Sequence, residues 1–502
     1  MSPIVVDDLV RDVLTARVYD VAVKTPLQQA HKLSASIGCQ VYLKREDLQP
    51  VHSFKIRGAY NKIAALSEDE RKKGVIAASA GNHAQGVALA AKKLGTTALI
   101  VMPRTTPSIK VEAVKGFGGQ VELHGDNYSD AAEYCKQRTQ ETGRTYIHPF
   151  DDPLVIAGQG TIGREIIEQL PQASHVFVCV GGGGLLAGVA GYVKAIRPDI
   201  RVISVEPADS NCMQAAVAAD KRLTLPHVGI FADGVAVRQA GEHTYRIAKQ
   251  QVDDFITVTT DQICSAIKYI YEDTRSIVEP AGALGVAGIC QYQLPADAHA
   301  VAICSGANVT FERLQQIAER TLIGSGKEAL FSVVMPEKPG ALRHFCSTVV
   351  GDRNITEFAY RLNERDRANV LVGISVADDR DRQALAARFE KSGYAHTDLS
   401  DSDAGKEHVR HMIGGHGQAT TSEHIYQIDF PERPRALGDF LQALDDRWNI
   451  SLFHYRSMAS DSGNVLIGLE ASNRAQVERA FRSTGYSYQP MDADKAVQTF
   501  LK

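Results

Sequence analysis

Between residues 70 and 310, short apolar runs alternate with stretches of helical period. The runs Val75–Ala78, Ala98–Met102, Gln120–Leu123, His175–Val180, Arg201–Glu206 and Ala300–Cys304 predict strands, most of them apolar enough to be buried on both faces. Between them Ala84–Leu94, Pro107–Phe117, Tyr128–Thr142, Gln159–Gln169 and Leu185–Ala195 repeat apolar positions every three or four residues and predict helices. That alternation is the pattern of right-handed βαβ units around parallel sheet. Upstream, Val41-Tyr42-Leu43 predicts a strand that leaves through a polar, proline-containing loop into a helix over Ile56–Leu66.

Past about residue 325 the glycine-rich loops stop and the chain repeats itself. A shift of 95 residues lays Pro336-Glu337 on Pro431-Glu432, Ala341-Leu342 on Ala436-Leu437, and Asn354-Ile355 on Asn449-Ile450. It also lays Tyr360-Arg361 on Tyr455-Arg456 and Asn369-Val370-Leu371 on Asn464-Val465-Leu466. Repetition of this kind is structural duplication. Each copy reads strand, helix, strand, strand, helix, which predicts a βαββαβ ferredoxin-like (α+β) plan. Neither copy carries an acid, base or nucleophile pattern, so binding or assembly is its expected role.

Composition narrows the class. At 502 residues the chain has room for two to four domains; a charge of −4, one tryptophan and no long basic run give no nucleic-acid or membrane footprint. The start, MSPIVVDDLVRDVL, is acidic and amphipathic and does not read as a signal peptide. Val176–Val193 reaches membrane length, but its six glycines and β-branched first part predict strand, loop and helix instead. The eight cysteines show no CxxC and read as reduced, buried thiols of a cytoplasmic protein. His408, His411, His416 and His424, spaced among glycines, read as a solvated linker and not as metal ligands.

Lys55 opens the helix after Ser53-Phe54, and taken alone it reads as a solvated lysine. Three later loops, each between a strand and a helix, change its meaning. Ser79-Ala80-Gly81-Asn82-His83 offers helix-start N–H groups suited to a carboxylate, though Asn82 and His83 also read as plain N-cap residues. Gly181-Gly182-Gly183-Gly184-Leu185 lets backbone wrap an anion such as phosphate. The same loop satisfies G-x-G-x-x-A through Gly182, Gly184 and Ala187, with Glu206 ending the next strand, so a nicotinamide dehydrogenase is the rival reading. Cys304-Ser305-Gly306-Ala307-Asn308 presents a serine that fits either a helix cap or a ring nitrogen.

HSFKIRGA, SAGNHAQG, VGGGGL and CSGAN, in that order, resemble the four motifs of the pyridoxal 5'-phosphate (PLP)-dependent fold type II serine/threonine dehydratases. The resemblance spans roughly residues 1–320 and implies a tryptophan synthase β-like α/β catalytic domain with parallel sheets. It implies that Lys55 carries the cofactor aldehyde and becomes the base at Cα, and that Asn82 meets the ring hydroxyl. Gly181, Gly182, Gly183, Gly184 and Leu185 would hold the phosphate, Ser305 the pyridine nitrogen, and Ser79, Ala80, Gly81, Asn82 and His83 the substrate carboxylate. A neutral serine at that nitrogen suits loss of a β-hydroxyl better than transamination. Phe231–Gly234 and Glu279–Gly282 line the substrate pocket by the same resemblance.

Two departures narrow the choice. Relatives that racemise serine carry a second serine where this chain has Ala80, and they place an acid where it has Cys212, so neither racemisation nor a metal is expected. The C-terminal half resembles the paired ACT-like regulatory domains of the biosynthetic threonine dehydratase family, down to FHYR and the HMIGG linker. That resemblance implies domains at 1–325, 326–410 and 411–502, a homotetramer, and conversion of L-threonine to 2-oxobutanoate and ammonia, with L-serine secondary. It also implies inhibition by isoleucine opposed by valine, with Tyr360 and Tyr455 at the effector pocket; ordinary sheet packing is the alternative for both tyrosines. A serine-preferring dehydratase and a catalytically silent amino-acid sensor are the remaining readings.

Overall fold

The computed structural model describes residues 6–324, 326–336, 344–353, 355–360, 367–409, 422–431, 440, 444, 447–456 and 462–501. The chain divides into two units, Met1–Leu314 and Gln315–Lys502.

The strands of the first unit are β1 (Leu27–Gln29), β2 (Gln40–Arg45), β3 (Val75–Ala78), β4 (Ala98–Met102), β5 (Gln120–Leu123), β6 (Thr145–Tyr146), β7 (His175–Cys179), β8 (Arg201–Pro207), β9 (Asp254–Val258) and β10 (His299–Cys304). They build two sheets, β1-β2-β10-β7-β8-β9 and β5-β4-β3-β6. Every neighbouring pair is parallel except β1 with β2. Strands β3, β4 and β7 are buried at every position, as sheet covered on both faces requires. The loops at the carboxyl ends of β3, β7 and β10 are the three singled out above, and this is where ligands sit on parallel sheets.

Local chemistry explains the helix ends. Tyr128–Thr142 starts where the Asn127 side chain accepts from the Asp130 N–H and stops at Gly143, whose φ of 64° suits a left-handed cap. The helix expected to begin near Gln159 begins at Pro153, because Asp152 accepts from the N–H groups of Leu154 and Val155.

The second unit holds β11 (Glu328–Pro336), β12 (Ile355–Tyr360), β13 (Arg367–Ser375), β14 (His396–Asp398), β15 (Glu423–Pro431), β16 (Asn449–Arg456), β17 (Ser462–Glu470) and β18 (Tyr488–Pro490). They form two antiparallel sheets, β12-β13-β11-β14 and β16-β17-β15-β18, the strand order of a βαββαβ unit in each copy. The repeat holds in detail: the register slips between Ile355 and Glu357 in one copy and between Ile450 and Leu452 in the other, 95 residues on. The shift falls to 92 after the second helix, where Gly393 answers to Gly485, both in the left-handed region. Of the helix expected after the first strand, the first copy shows the π-helical turn Cys346–Val350, and the second copy's lies largely outside the described residues.

Leu330, Leu371 and Leu399 of the first copy share one apolar cluster with Ile425, Leu466 and Val497 of the second. The two copies therefore pack on each other. His408 is 1% exposed, so it is not part of a solvated linker as its spacing suggested; neighbouring Val409 belongs to that same cluster. His424 is half-buried on β15, and His411 and His416 lie outside the described residues. Among the described residues no helix is long and apolar enough to cross a membrane; Val176–Val193 is β7, the glycine loop and a helix from Gly184. Six cysteines are buried as expected, but Cys290 is exposed near the end of its helix.

Candidate active site

Lys55 is the first residue of the helix Lys55–Ala64, and the loop before it is stitched to the loop after β10. Phe54 N–H donates to the Ser305 carbonyl at 3.1 Å, Ala307 N–H donates to the His52 carbonyl at 2.9 Å, and Ser53 bridges Gly306 antiparallel. Asn308 extends the seam by donating from Nδ2 to the Val51 carbonyl at 2.9 Å and to Asn82 Oδ1 at 2.6 Å. Asn82 in turn donates from Nδ2 to Glu279 Oε1 at 2.6 Å. Two of the loops thus meet Lys55 directly or through one amide, although 250 residues separate their parts in sequence.

The glycine loop reaches the same place from β7. The Cys179 thiol, the last side chain of that strand, hydrogen-bonds to Ser305, and Lys55 is among the charges acting on it. Glycine is needed here by close approach: a Cβ on Gly182 would stand 2.3 Å from the Phe150 ring, and one on Gly181 2.8 Å from Val235 Cα. Gly183 has φ of 95°, a conformation that L side chains rarely adopt. Among the described residues no N–H of Gly181, Gly182 or Gly183 donates to another group, and the next N–H groups open the helix from Gly184. This row of orphan donors at a positive helix end is a fit for a phosphate. Thr244 Oγ1 and the Gly241 N–H donate to the Gly182 carbonyl, at 2.6 and 3.2 Å, and hold the loop from behind.

The electrostatics favour an aldehyde at Lys55. The residue is half-buried, with Nζ 3.1 Å from the Pro149 carbonyl, and loss of water pushes its pKa down to about 8, against the opposing pull of Cys179 and Glu279. Near neutral pH a useful fraction of the amine is therefore unprotonated and nucleophilic. Burial pushes Cys179 up to about 11, so it stays a neutral thiol, and raises Glu279 to about 7. Ser53 Oγ is fully buried two residues from Lys55 and has no hydrogen-bond partner among the described residues, a buried polar atom that a polar ligand would satisfy.

The residues singled out in the sequence divide by exposure. Ser79, Ala80, Gly81 and Asn82 are half-buried, an accessible rim. His83 is turned inward, 3% exposed, with Nε2 2.8 Å from the Ile147 carbonyl and its pKa pushed by burial down to about 3. Its imidazole is committed there, and what it can offer a carboxylate is its backbone N–H. Glu206 is not placed to hold a ribose: it is fully buried, and its two oxygens accept from the N–H groups of Met213 and Gln214 at 2.9 and 2.7 Å. That removes the acidic partner on which the nicotinamide reading rested. Among the described residues no three His, Cys, Asp or Glu side chains gather as a metal site. Tyr360 and Tyr455 hold equivalent backbone positions, opposite Val370 and Val465.

Several supporting groups carried no sequence signal. Lys44, Glu46, Arg57 and Glu165 are 0% exposed and form one ion network under the Lys55 helix. Asp151 caps the helix Glu242–Gln251 by accepting from three of its first N–H groups, beside Phe150 and the glycine loop.

A family described as pyridoxal-phosphate dependent enzyme matches residues 18–306. The C-terminal regulatory domain of threonine dehydratase matches twice, at 319–409 and 415–501. The chain is 47% identical over 503 residues to the biosynthetic L-threonine dehydratase IlvA of Burkholderia multivorans, covering 98% of this chain and 99% of that one. It is 47% identical over 483 residues to the chloroplastic biosynthetic threonine dehydratase of Arabidopsis thaliana, covering 95% and 81%. Among solved structures, the processed threonine deaminase isoform 2 of Solanum lycopersicum matches with a TM-score of 0.62 at 46% identity, over 63% of this chain and 88% of that one. Maize serine racemase matches with a TM-score of 0.59 at 37% identity, over 63% and 97%.

Proposed function

This chain belongs to the pyridoxal-phosphate-dependent enzyme family and carries the regulatory domain of threonine dehydratase twice. From that premise we propose that it is an L-threonine ammonia-lyase, forming 2-oxobutanoate and ammonia at the entry to isoleucine biosynthesis under allosteric control. The observation that carries the reading is the Lys55 amine, lowered to about 8 and set among Cys179, Glu279 and the Pro149 carbonyl.

In this reading Lys55 would hold the cofactor aldehyde, the N–H groups from Gly181 to Leu185 its phosphate, Asn82 its ring oxygen and Ser305 its ring nitrogen. When bound, the cofactor supplies an electron sink for the charge left as a proton leaves Cα. Lys55 Nζ would take that proton, since its lowered pKa leaves it a base near neutral pH. Ser305 would meet the ring nitrogen as a neutral hydroxyl, and its neighbour Cys179, raised by burial to about 11, keeps its proton. The N–H groups of the Ser79–His83 loop orient the substrate carboxylate, and Ala80 offers no hydroxyl to return a proton from the other face. The β-hydroxyl leaves as water, which accounts for the proton taken from Cα, and hydrolysis of the resulting enamine consumes one water and yields the 2-oxo acid and ammonia.

We divide the chain into a catalytic domain at 1–325 and regulatory domains at 326–410 and 411–502. Isoleucine as inhibitor, valine as its opponent, Tyr360 and Tyr455 at the effector site, and a homotetramer belong to the same proposal. Support for the effectors comes from the duplicated regulatory domain, and for a cytoplasmic setting from six buried cysteines outside any disulfide. Turnover of threonine against serine, each with and without isoleucine, tests it. Threonine is expected to be preferred and isoleucine to lower the rate; equal rates, or no response to isoleucine, overturn the substrate or the effector assignment.

A further inference from the structure

We infer that Glu279 is a positioning residue for this reaction: by one hydrogen bond it fixes which side of the Asn82 carboxamide faces the cofactor. This rests on the reading that Asn82 meets the cofactor ring.

The two ends of an amide differ only in what they can do, so neighbours decide its orientation. The Val51 carbonyl can only accept, and it takes a hydrogen bond from Asn308 Nδ2 at 2.9 Å. That atom is therefore the nitrogen, and the atom of Asn82 that lies 2.6 Å from it is an acceptor, Oδ1. On the opposite side of Asn82 stands Glu279 Oε1, at 2.6 Å from Nδ2. The Asn82 atom left facing Glu279 is therefore the nitrogen, so Nδ2 donates, Glu279 Oε1 accepts, and the chain runs in one direction from the Val51 carbonyl to Glu279. One hydrogen of Asn82 Nδ2 is used by Glu279, and the other has no acceptor among the described residues. The amide thus keeps a single aimed donor, as a ring oxygen requires. Without Glu279 that side of the amide has no anchor, and the donor loses its aim.

Glu279 is built to stay in place. It is 3% exposed at the first turn of the helix Pro280–Gln291, and its N–H donates to the Gly306 carbonyl at 3.1 Å in the loop that carries Ser305. Its Oε1 lies 2.6 Å from where a Cβ on Gly306 would stand, with the His52 carbonyl 3.1 Å from the same point, so the three loops meet closely there. Asp233, paired with Lys110 at 2.7 Å, faces it from the loop after residue 231, and Lys55 and Cys179 face it from the cofactor side.

The test is a mutant cycle read by equilibrium affinity for PLP, using apo-protein titrated with PLP and followed by the visible absorbance of the bound form. Glu279→Ala is expected to weaken binding about tenfold, the worth of one lost charged hydrogen bond. Glu279→Gln, which keeps an acceptor oxygen, is expected to stay within about twofold, and Glu279→Ala made on Asn82→Ala is expected to add nothing, because the two act as one unit. If Asn82→Ala itself leaves affinity unchanged, the reading of Asn82 falls and the inference with it. If Asn82→Ala weakens binding but Glu279→Ala does not, or the two losses add, only the positioning role is overturned. Should Glu279→Ala fail to fold, Asn308→Ala removes the other clamp and is expected to show the same tenfold, non-additive loss; a harmless Asn308→Ala overturns the clamp.

Discussion

Replacing Arg57 by methionine removes the centre of the ion network beneath the Lys55 helix. The guanidinium donates to both oxygens of Glu46, each at 2.8 Å, and to both oxygens of Glu165, at 2.6 and 3.0 Å. It also reaches Thr161 Oγ1 at 3.1 Å and the Val23 carbonyl at 3.2 Å. Lys44 completes the set with a 2.5 Å contact to Glu165, so two cations balance two carboxylates with no water access. Methionine fills most of the volume but leaves two buried carboxylates facing one lysine. Breaking one partner out of such a set costs about 3–5 kcal/mol, mostly as the burden of uncompensated charge. Replacing Lys44 and Glu165 together by methionine and glutamine keeps the balance and should cost less than the sum of the two single changes. Urea unfolding is the assay, with loss of bound-cofactor absorbance reporting the first unit. Trp448, the chain's single tryptophan, lies in the second unit and reports that one separately. Arg57→Met should shift the first transition and leave the second in place. A first transition within about 1 kcal/mol of the parent would refute the reasoning, because a charge set of this kind cannot lose its centre so cheaply.

Two further outcomes follow from the site. Gly183→Ala forces a side chain into φ of 95° and puts its Cβ 2.4 Å from Met213 Cε; affinity for PLP should fall at least about tenfold, with about 1–3 kcal/mol of strain in the fold. In cofactor-free protein the Lys55 amine, lowered to about 8, should react with an acylating reagent at a rate that climbs with pH up to about 8 and then levels, whereas an ordinary lysine keeps climbing toward 10.5. The sign for stability is the same: a lowered lysine pKa favours the neutral amine in the fold, so its contribution is present above the unfolded value and is lost as pH falls through about 8. Peptide mapping of the modified lysine at each pH checks the rate, and a Lys55 profile still rising above pH 9 contradicts it.

Much of the architecture is written in short-range pattern. Val75–Ala78, Ala98–Met102 and Tyr128–Thr142 form where their periodicity places them, because burial on both strand faces and a 3.6-residue stripe are local signals; Gln120–Leu123 forms there too, as a partly exposed edge strand. The 95-residue repeat marks the two regulatory copies, and each forms the sheet of the βαββαβ plan that its run of elements predicts. Charged residues were the blind spot. Lys44, Arg45, Glu46 and Asp47 read as a polar loop, yet all are 3% exposed or less: Lys44 and Glu46 find their partners further along the chain in Glu165 and Arg57, and Arg45 pairs with Asp47 at 2.7 Å. Glu206 misled in the same way: its place after a strand suggested a ribose ligand, while its oxygens serve the N–H groups of a helix six residues on. Glu279 had no local pattern at all. Its meaning appears only once Asn82, 197 positions earlier, stands beside it.

The central claim is that Lys55 carries the cofactor and that the chain performs an elimination there. Borohydride reduction of the purified holo-protein, followed by peptide mapping, tests it most directly. The assignment predicts loss of visible absorbance together with a single reduced adduct on Lys55. An adduct on another lysine, or a colourless protein that binds a nicotinamide nucleotide instead, contradicts it.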